Sequence, residues 1–248
     1  MVDIQPIGFS IAIFGIGASI NFKTKSIVWQ QATGVAPYGL TIAKNKIFIT
    51  NWAGSKVTDS LQSTAGVPWG LAYTDSLTGA TRNGTVSIYN LNGTFIKEIS
   101  VGLHPNAIIS SVNQQFVFVA NGSSDEISVI DAIKNQVIRT IPVGTFGKDL
   151  QGSTPNALCL NPTGKKLYVA NGLDNAIFVY DLVNQKNEGL IPTEAYPAGL
   201  LVKNNNLIVA NLESDGANVI DKNKRARSIH QELASVSIIP LPNKKTLQ

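Results

Sequence analysis

Four times along the chain one phrase returns: a proline, an apolar strand, a turn, and a second strand that stops at asparagine. The copies are "PYGLTIAKNKIFITN" (37–51), "PNAIISSVNQQFVFVAN" (105–121), "PNALCLNPTGKKLYVAN" (155–171) and "PAGLLVKNNNLIVAN" (197–211). Pro to Asn is 14 residues in the first and last copies and 16 in the middle two. The middle copies run on to an Asp ten residues further, Asp131 and Asp181; in the first, the third strand waits until "NGTVSIYN" (83–90). Self-similarity at this period means stacked supersecondary units, each too small to bury its own apolar faces.

Each segment is four to seven residues rich in Val, Ile, Phe and Tyr, bounded by Asn, Gly, Asp and Pro, which reads as strand, turn, strand. In "NPTGKK" (161–166) Pro162 fixes φ and Gly164 is free to take a positive one. A fourth strand follows the Asp, as in "QVIRTIPVG" (136–144). Within "FVFVA" (116–120) apolar residues point both ways, so these sheets are covered on both faces. Four-stranded antiparallel sheets stacked face to face make a β-propeller, and the fold class is all-β. Asn51, Asn121, Asn171 and Asn211 read as scaffold, tolerating the left-handed conformation before each turn. Asp131 and Asp181 suit side-chain-to-backbone turns.

Composition is compatible with this and allows one large domain or two small ones. Of 248 residues, 44% are apolar, enough for a core. The single cysteine, Cys159, excludes an internal disulfide and a Cys-based zinc site, and its place between Leu158 and Leu160 makes it a buried thiol. A net charge of +4 is mildly basic, and nucleic-acid binders need such charge clustered on one face. No apolar stretch reaches the ~18 residues of a membrane span. "IGFSIAIFGIGAS" (7–19) has the length of a signal-peptide core, but Asp3 stands where a positive flank belongs; it reads as strand.

The chain also resembles a known family. "LYVAN" (167–171) with "AIFVYD", and "FVFVAN" with "ISVIDAIKNQVIRTIPVG", are similar to the YVTN β-propeller repeat. Closer still is the subgroup of bacterial proteins that join such a propeller to an alkaline-phosphatase-like phosphoesterase domain. "ITNWAGS" (49–55), "STAGVP" (63–68), "GLHPNAI" (102–108), "GLIPTEAYPAGL" (189–200) and "SVSIIPLP" (235–242) carry that likeness. The resemblance implies seven blades, export to the periplasm or beyond, and catalytic groups in a domain not present here. The chain holds roughly four and a half blades: a partial blade over 8–34, taken as two strands, then blades starting near 37, 105, 155 and 197, the last incomplete. The expectation is one propeller domain over 1–248, a fragment of a larger protein; the alternative is a small propeller closed by its N-terminal strands. An open arc leaves end blades uncovered and invites association.

In a blade, the loop between strands two and three shares a face with the connection to the next blade. That face collects the insert 55–83, with Trp69, Tyr73 and Arg82, together with Trp52, His104, Asp125, Asp149, Asp174 and Tyr196. These nine residues are the candidate ligand or protein-partner surface. The insert itself reads as solvated decoration or as a binding or interdomain element. The opposite face carries Lys44, Lys46, Lys134, Lys165, Lys166, Lys186 and Lys203, which read as solubilising lysines. The run "DKNKRARS" (221–228) falls on either face, according to whether 217–221 or 235–241 is the third strand of the last blade; the resemblance favours the latter.

No catalytic constellation emerges. His104 and His230 have no partner at metal-ligand spacing, no Walker-type loop or nucleophile elbow occurs, and no cofactor motif is present. Three functions remain: a non-catalytic binding or scaffold module; the substrate-recognition or interdomain part of a phosphoesterase; and an autonomous lactonase-like propeller hydrolase.

Overall fold

The computed structural model describes residues 7–12, 15–59, 61–67, 70–145, 152–214 and 234–242, and all regular structure among them is β-strand. The chain divides into two compact units, Met1–Ile141 and Pro142–Gln248.

The first unit opens with a three-stranded sheet of β1 (Ile7–Ala12), β2 (Ile16–Asn21) and β3 (Ser26–Ala32). The sequence reading made two strands of this stretch. Gly15, at φ +72°, turns the chain inside the apolar run and folds it back with Ala12 opposite Ile16. The β2–β3 turn shows which strands these are. Asn21 Oδ1 accepts from the N–H groups of Lys23 (2.9 Å) and Thr24 (3.2 Å), as Asp131 does from Ile133 (2.8 Å) and Lys134 (2.9 Å) after the third strand of a full blade.

The first full blade is β4 (Pro37–Ala43), β5 (Lys46–Asn51), β8 (Gly84–Asn90) and β9 (Phe95–Val101), paired in that order. The insert leaves after β5 and returns at β8, carrying its own hairpin, β6 (Thr64–Val67) and β7 (Gly70–Tyr73). The next blade is β10 (Pro105–Ser110), β11 (Phe116–Asn121), β12 (Glu126–Asp131) and β13 (Gln136–Pro142).

The second unit repeats the plan. β14 (Pro155–Leu160), β15 (Lys166–Asn171), β16 (Ala176–Asp181) and β17 (Lys186–Pro192) form a four-stranded sheet. β18 (Ala195–Lys203), β19 (Asn206–Ser214) and β20 (Ser235–Pro240) form a three-stranded one. β20 pairs with β19 from Asn211↔Ser235 to Asn206↔Pro240, so 235–240 takes the third-strand position; residues 217–221, the charged run and His230 lie outside the described residues.

Turn chemistry follows the local sequence. Gly164 has φ +68°, as its place in "NPTGKK" requires. The two-residue turns at Lys44–Asn45 (φ 49° and 57°) and Asn204–Asn205 (50° and 58°) are left-handed at both positions, matching the twist of a hairpin. Asp131 and Asp181 cap the turns after the third strands, and the backbone N–H groups they accept hold both carboxyls below their ordinary range.

Sheets pack face to face, as their double-sided apolar strands demand. In the first unit Phe48, Val86, Ile88 and Ile99 of one blade bury against Val117, Val119 and Ile130 of the next. In the second, Tyr168, Ala170, Ile177 and Val179 bury against Leu207 and Val209. Each Val, Leu, Ile or Phe side chain among them contributes roughly 1.5–3 kcal/mol when fully buried. Cys159 packs on this second cluster; burial pushes its thiol up to about 12 and keeps it protonated at neutral pH. Two lysines expected to be solvated are structural: Lys46 donates to the carbonyls of Ala132 (3.0 Å) and Ile133 (3.2 Å), and Lys166 pairs with Glu188.

Candidate functional site

The loop face is built on a recurrent strain. Ala36, His104, Thr154 and Tyr196, the residues before the prolines that define the repeat, have φ of 53°, 51°, 51° and 53°. Of these residue types only histidine is enriched at a positive φ, and for the others such strain costs roughly 1–3 kcal/mol at each position. The return is a stitch. The carbonyls of Ala36, His104 and Thr154 accept the N–H groups of Trp52 (2.9 Å), Gly122 (3.0 Å) and Gly172 (3.0 Å). Each connection is thereby pinned to the loop after the second strand of its own blade.

The repeated asparagines require a correction. None of the four has a positive φ. Each is fully buried in a pairing strand, at its last residue in the first three copies and inside β19 in the fourth, and its amide nitrogen donates sideways. Asn51 reaches the hydroxyls of Thr85 and Ser87 (2.9 Å each), and Asn121 reaches Ser128 (2.8 Å) and Glu126 (3.3 Å). Asn211 reaches Ser235 (3.2 Å) and Ser237 (2.9 Å). In the third copy the facing residues are Ala176 and Phe178, and Asn171 turns to the Val143 carbonyl (2.8 Å) and Asp174 (2.9 Å) instead. Left-handed geometry falls on neighbours such as Asp125 (φ 47°) and Asn175 (φ 52°).

In the first unit this scaffold assembles one polar and aromatic cluster. The His104 ring lies flat on Trp52, with centroids 3.9 Å apart and planes 2° from parallel. Its Nδ1 shares a hydrogen bond with the Ser123 hydroxyl and its Nε2 with the Thr81 hydroxyl, so both nitrogens are engaged. Burial pulls its pKa below the ordinary 6.5, which favours the neutral ring. Thr81 belongs to the insert, and an isolated bridge to Thr74 fixes it beside Tyr73.

Tyr73 anchors the insert. Its hydroxyl accepts the N–H groups of Thr58 (2.8 Å) and Asp59 (3.0 Å), and bonding to Thr58 and these N–H groups lowers its pKa. Beneath it Ala72 packs with Val35, Ala53 and Trp52, so the insert is docked on the blade rather than being solvated decoration. Arg82 lies 5.6 Å from the centre of the Tyr73 ring, donates to Gln62 and remains exposed. Asp59 is held below its ordinary range by Gln62 and the Leu61 N–H, and Asp75 by the N–H groups of Thr78 and Leu77 and the Thr78 hydroxyl.

The structure thus brings Trp52, Tyr73, Arg82 and His104 together, and buried Asp125 sits in the same loop as Ser123. Asp174 and Tyr196 belong to the second unit, where the Tyr196 N–H donates to Asn175 Oδ1 (2.9 Å). Trp69 and Asp149 lie outside the described residues. Sequence reasoning missed Thr81 and Ser123, hydroxyls whose role appears only once the insert folds over His104.

The cluster is poorly arranged for acyl transfer. Ser123 Oγ has an imidazole partner, but the N–H groups of Gly122, Ser123 and Ser124 are spent on the carbonyls of His104, Leu103 and Asn121, so none of these three serves as an oxyanion donor. Among the described residues no three His, Cys, Asp or Glu side chains gather as metal ligands. Nor does any helix among them have the length and apolarity to cross a membrane.

Because the unfolded chain takes up a proton on histidine before the folded one does, His104 costs stability on acidification. Stability is intact above about pH 6.5 and falls as the pH drops through the lower folded value. Thermal unfolding at pH 7.5 and 5.5 is expected to show a smaller acid loss for His104→Gln than for the wild type. Equal losses in the two proteins would contradict this assignment.

The sequence matches no family model and no curated protein. Solved structures do match. Kuenenia stuttgartiensis hydrazine synthase aligns over 83% of this chain and 46% of its own, with TM-score 0.56 and 22% identity. A chain of the mitotic checkpoint complex aligns over 80% of this chain and 52% of its own, with TM-score 0.59 and 9% identity. The chain spans about half the length of each. With these propeller-type neighbours and its four-stranded antiparallel sheets, the chain has an all-β, β-propeller-type fold.

Proposed function

We propose that this chain is a non-catalytic binding module that recognises a protein partner through the loop face of its first unit. The observation that carries the reading is the His104 clamp. A ring stacked on Trp52 and bonded to hydroxyls from two different loops holds the insert in place, while Arg82 stays exposed beside it. Rigid aromatic rings with an available guanidinium are what protein-binding hot spots are made of. The checkpoint-complex neighbour, a chain named for an assembly, is in keeping with this use of the fold. By its resemblance to YVTN propellers, the module belongs to a longer exported protein, placed in the periplasm or outside the cell. The same resemblance supports a second reading, in which that protein is a phosphoesterase and this face contributes substrate recognition or interdomain contacts.

Selection from a displayed library of random dodecapeptides tests the binding role. Selected peptides are expected to be acidic or aromatic and to lose about tenfold or more in affinity for Arg82→Ala, the worth of one charge-assisted contact. Failure to enrich any sequence, or peptides indifferent to Arg82→Ala, would overturn it.

A further inference from the structure

The third copy of the repeat breaks a rule that the other three keep. Asn51, Asn121 and Asn211 give their amide nitrogens to hydroxyls on the third strand of their own blade: Thr85 and Ser87, Ser128, and Ser235 and Ser237. The third copy has Ala176 and Phe178 at those places, so no hydroxyl is there to receive the donor. It also differs three residues beyond the asparagine. Gly54, Ser124 and Ser214 hold that place in the other copies; here it is Asp174. Ser124 is spent on the backbone, accepting the Leu103 N–H (2.8 Å). Asp174 instead accepts the Asn171 amide through Oδ2 (2.9 Å).

The exchange leaves oxygens without hydrogens. Asp174 Oδ1 is closed to solvent and has no hydrogen-bond partner. Asn171 is 0% exposed, and its Oδ1 has none either. The Val143 carbonyl, 2.8 Å from the same amide nitrogen, has a second lone pair to offer. Asn51, Asn121 and Asn211 also carry an unpartnered Oδ1, but among the described residues Asp174 is the one carboxylate with an unpartnered, closed oxygen. Asp131 and Asp181 are each satisfied by two backbone N–H groups. The one ion pair among the described residues is Lys166 with Glu188, so no lysine or arginine there neutralises Asp174. An ionised oxygen shut away from water with neither donor nor counter-charge is a costly arrangement, and it implies a positive ligand.

We infer that Asp174, Asn171 and Val143 bind a hard cation in the second unit, and that the cation is Ca2+. Carboxylate, amide and backbone carbonyl oxygens are the ligand set of Ca2+, with water completing its shell, whereas Mg2+ sheds water reluctantly and demands a near-ideal octahedron. With a single charged ligand the affinity belongs at the weak end, a Kd of roughly 10⁻⁴–10⁻³ M. The bound ion ties the connection at Val143 to the loop after β15, where the other copies use hydroxyls. The site lies in the second unit and the Arg82 surface in the first, so its test is independent of the binding role.

Thermal unfolding of protein stripped with EDTA, in about 0.01 to 10 mM CaCl2 at constant ionic strength, tests the site. The midpoint is expected to rise and saturate, with Mg2+ giving a smaller rise, and calorimetric titration to count one Ca2+ per chain. Asp174→Ser installs the residue of the second and fourth copies, and should weaken Ca2+ binding at least about tenfold. Asp181→Asn should respond as the wild type does, since Asn21 serves the same kind of turn. Because the readout is the shift caused by Ca2+, it holds even where a variant unfolds at a lower temperature. A wild type indifferent to Ca2+ would overturn the proposal, as would a response that Asp174→Ser keeps in full. An equal response to Mg2+ would overturn it too, as the mark of general charge screening.

Discussion

Asn121→Asp is expected to cost about 3–5 kcal/mol, a large share of the stability of any domain, because it places an unpaired charge in a closed site. Asn121 is 0% exposed, and the Gly102 backbone lies over it so closely that an added Cβ would come within 2.7 Å of its side chain. Its amide nitrogen donates to Ser128 and to the Glu126 carboxylate. The substitution removes the donor and sets a second carboxylate beside one whose pKa burial already raises. Two such groups cannot both ionise, so at neutral pH the folded state holds a proton that the unfolded state has already released. The loss measured by urea unfolding should therefore be largest at pH 7 and shrink as the pH falls toward about 4. A cost below about 1 kcal/mol at pH 7 would mean that the repeated asparagine is a turn residue after all.

Phe48→Ala is expected to cost a similar amount, about 3–5 kcal/mol, by a different route. Phe48 is 0% exposed in the cluster shared by the two blades of the first unit, with Val86, Ile88, Val117 and Val119 around it. Truncation leaves a cavity between two sheets whose backbones are fixed by their own ladders and cannot close on it. Ile238→Ala supplies the contrast: a large aliphatic side chain on the same kind of strand, 67% exposed, with an expected cost within about 0.5 kcal/mol in the monomer. The pair of urea midpoints separates burial from hydrophobicity. Similar losses for both would show that the outer face of β20 is already covered in solution.

Much of the architecture is local physics and was legible for that reason. Strands were readable wherever β-branched and aromatic residues ran between turn formers, and Asp131 and Asp181 cap the turns their side chains suit. The N-terminal stretch misled because an unbroken apolar run hides a turn, and a single glycine decided it. The asparagines misled because residue type suggests a turn, whereas their neighbours in space are Thr85, Ser87 and Ser128 on the third strand. That signal was present as alternate hydroxyls in "TVS" and "SVS", readable once the strand register is known.

For the candidate site the balance is reversed. Trp52, Tyr73, Arg82 and His104 were gathered onto one face by blade logic alone, but nothing in their spacing says that His104 stacks on Trp52 or bonds Thr81. Those contacts depend on how a long insert folds back, which is set by Tyr73 and Ala72 finding partners distant in sequence.

By itself, then, the sequence determined what a single strand or turn can decide: the repeat, the strand pairing that follows from it, and the two apolar faces of each sheet. Only the tertiary structure decided which faces are filled. Ile208 stands in the same phrase as Phe118 and Tyr168, yet its sheet face lies open while theirs is buried. Alternation is a property of one strand; burial is a property of whatever packs on it, and the strand does not encode its neighbour.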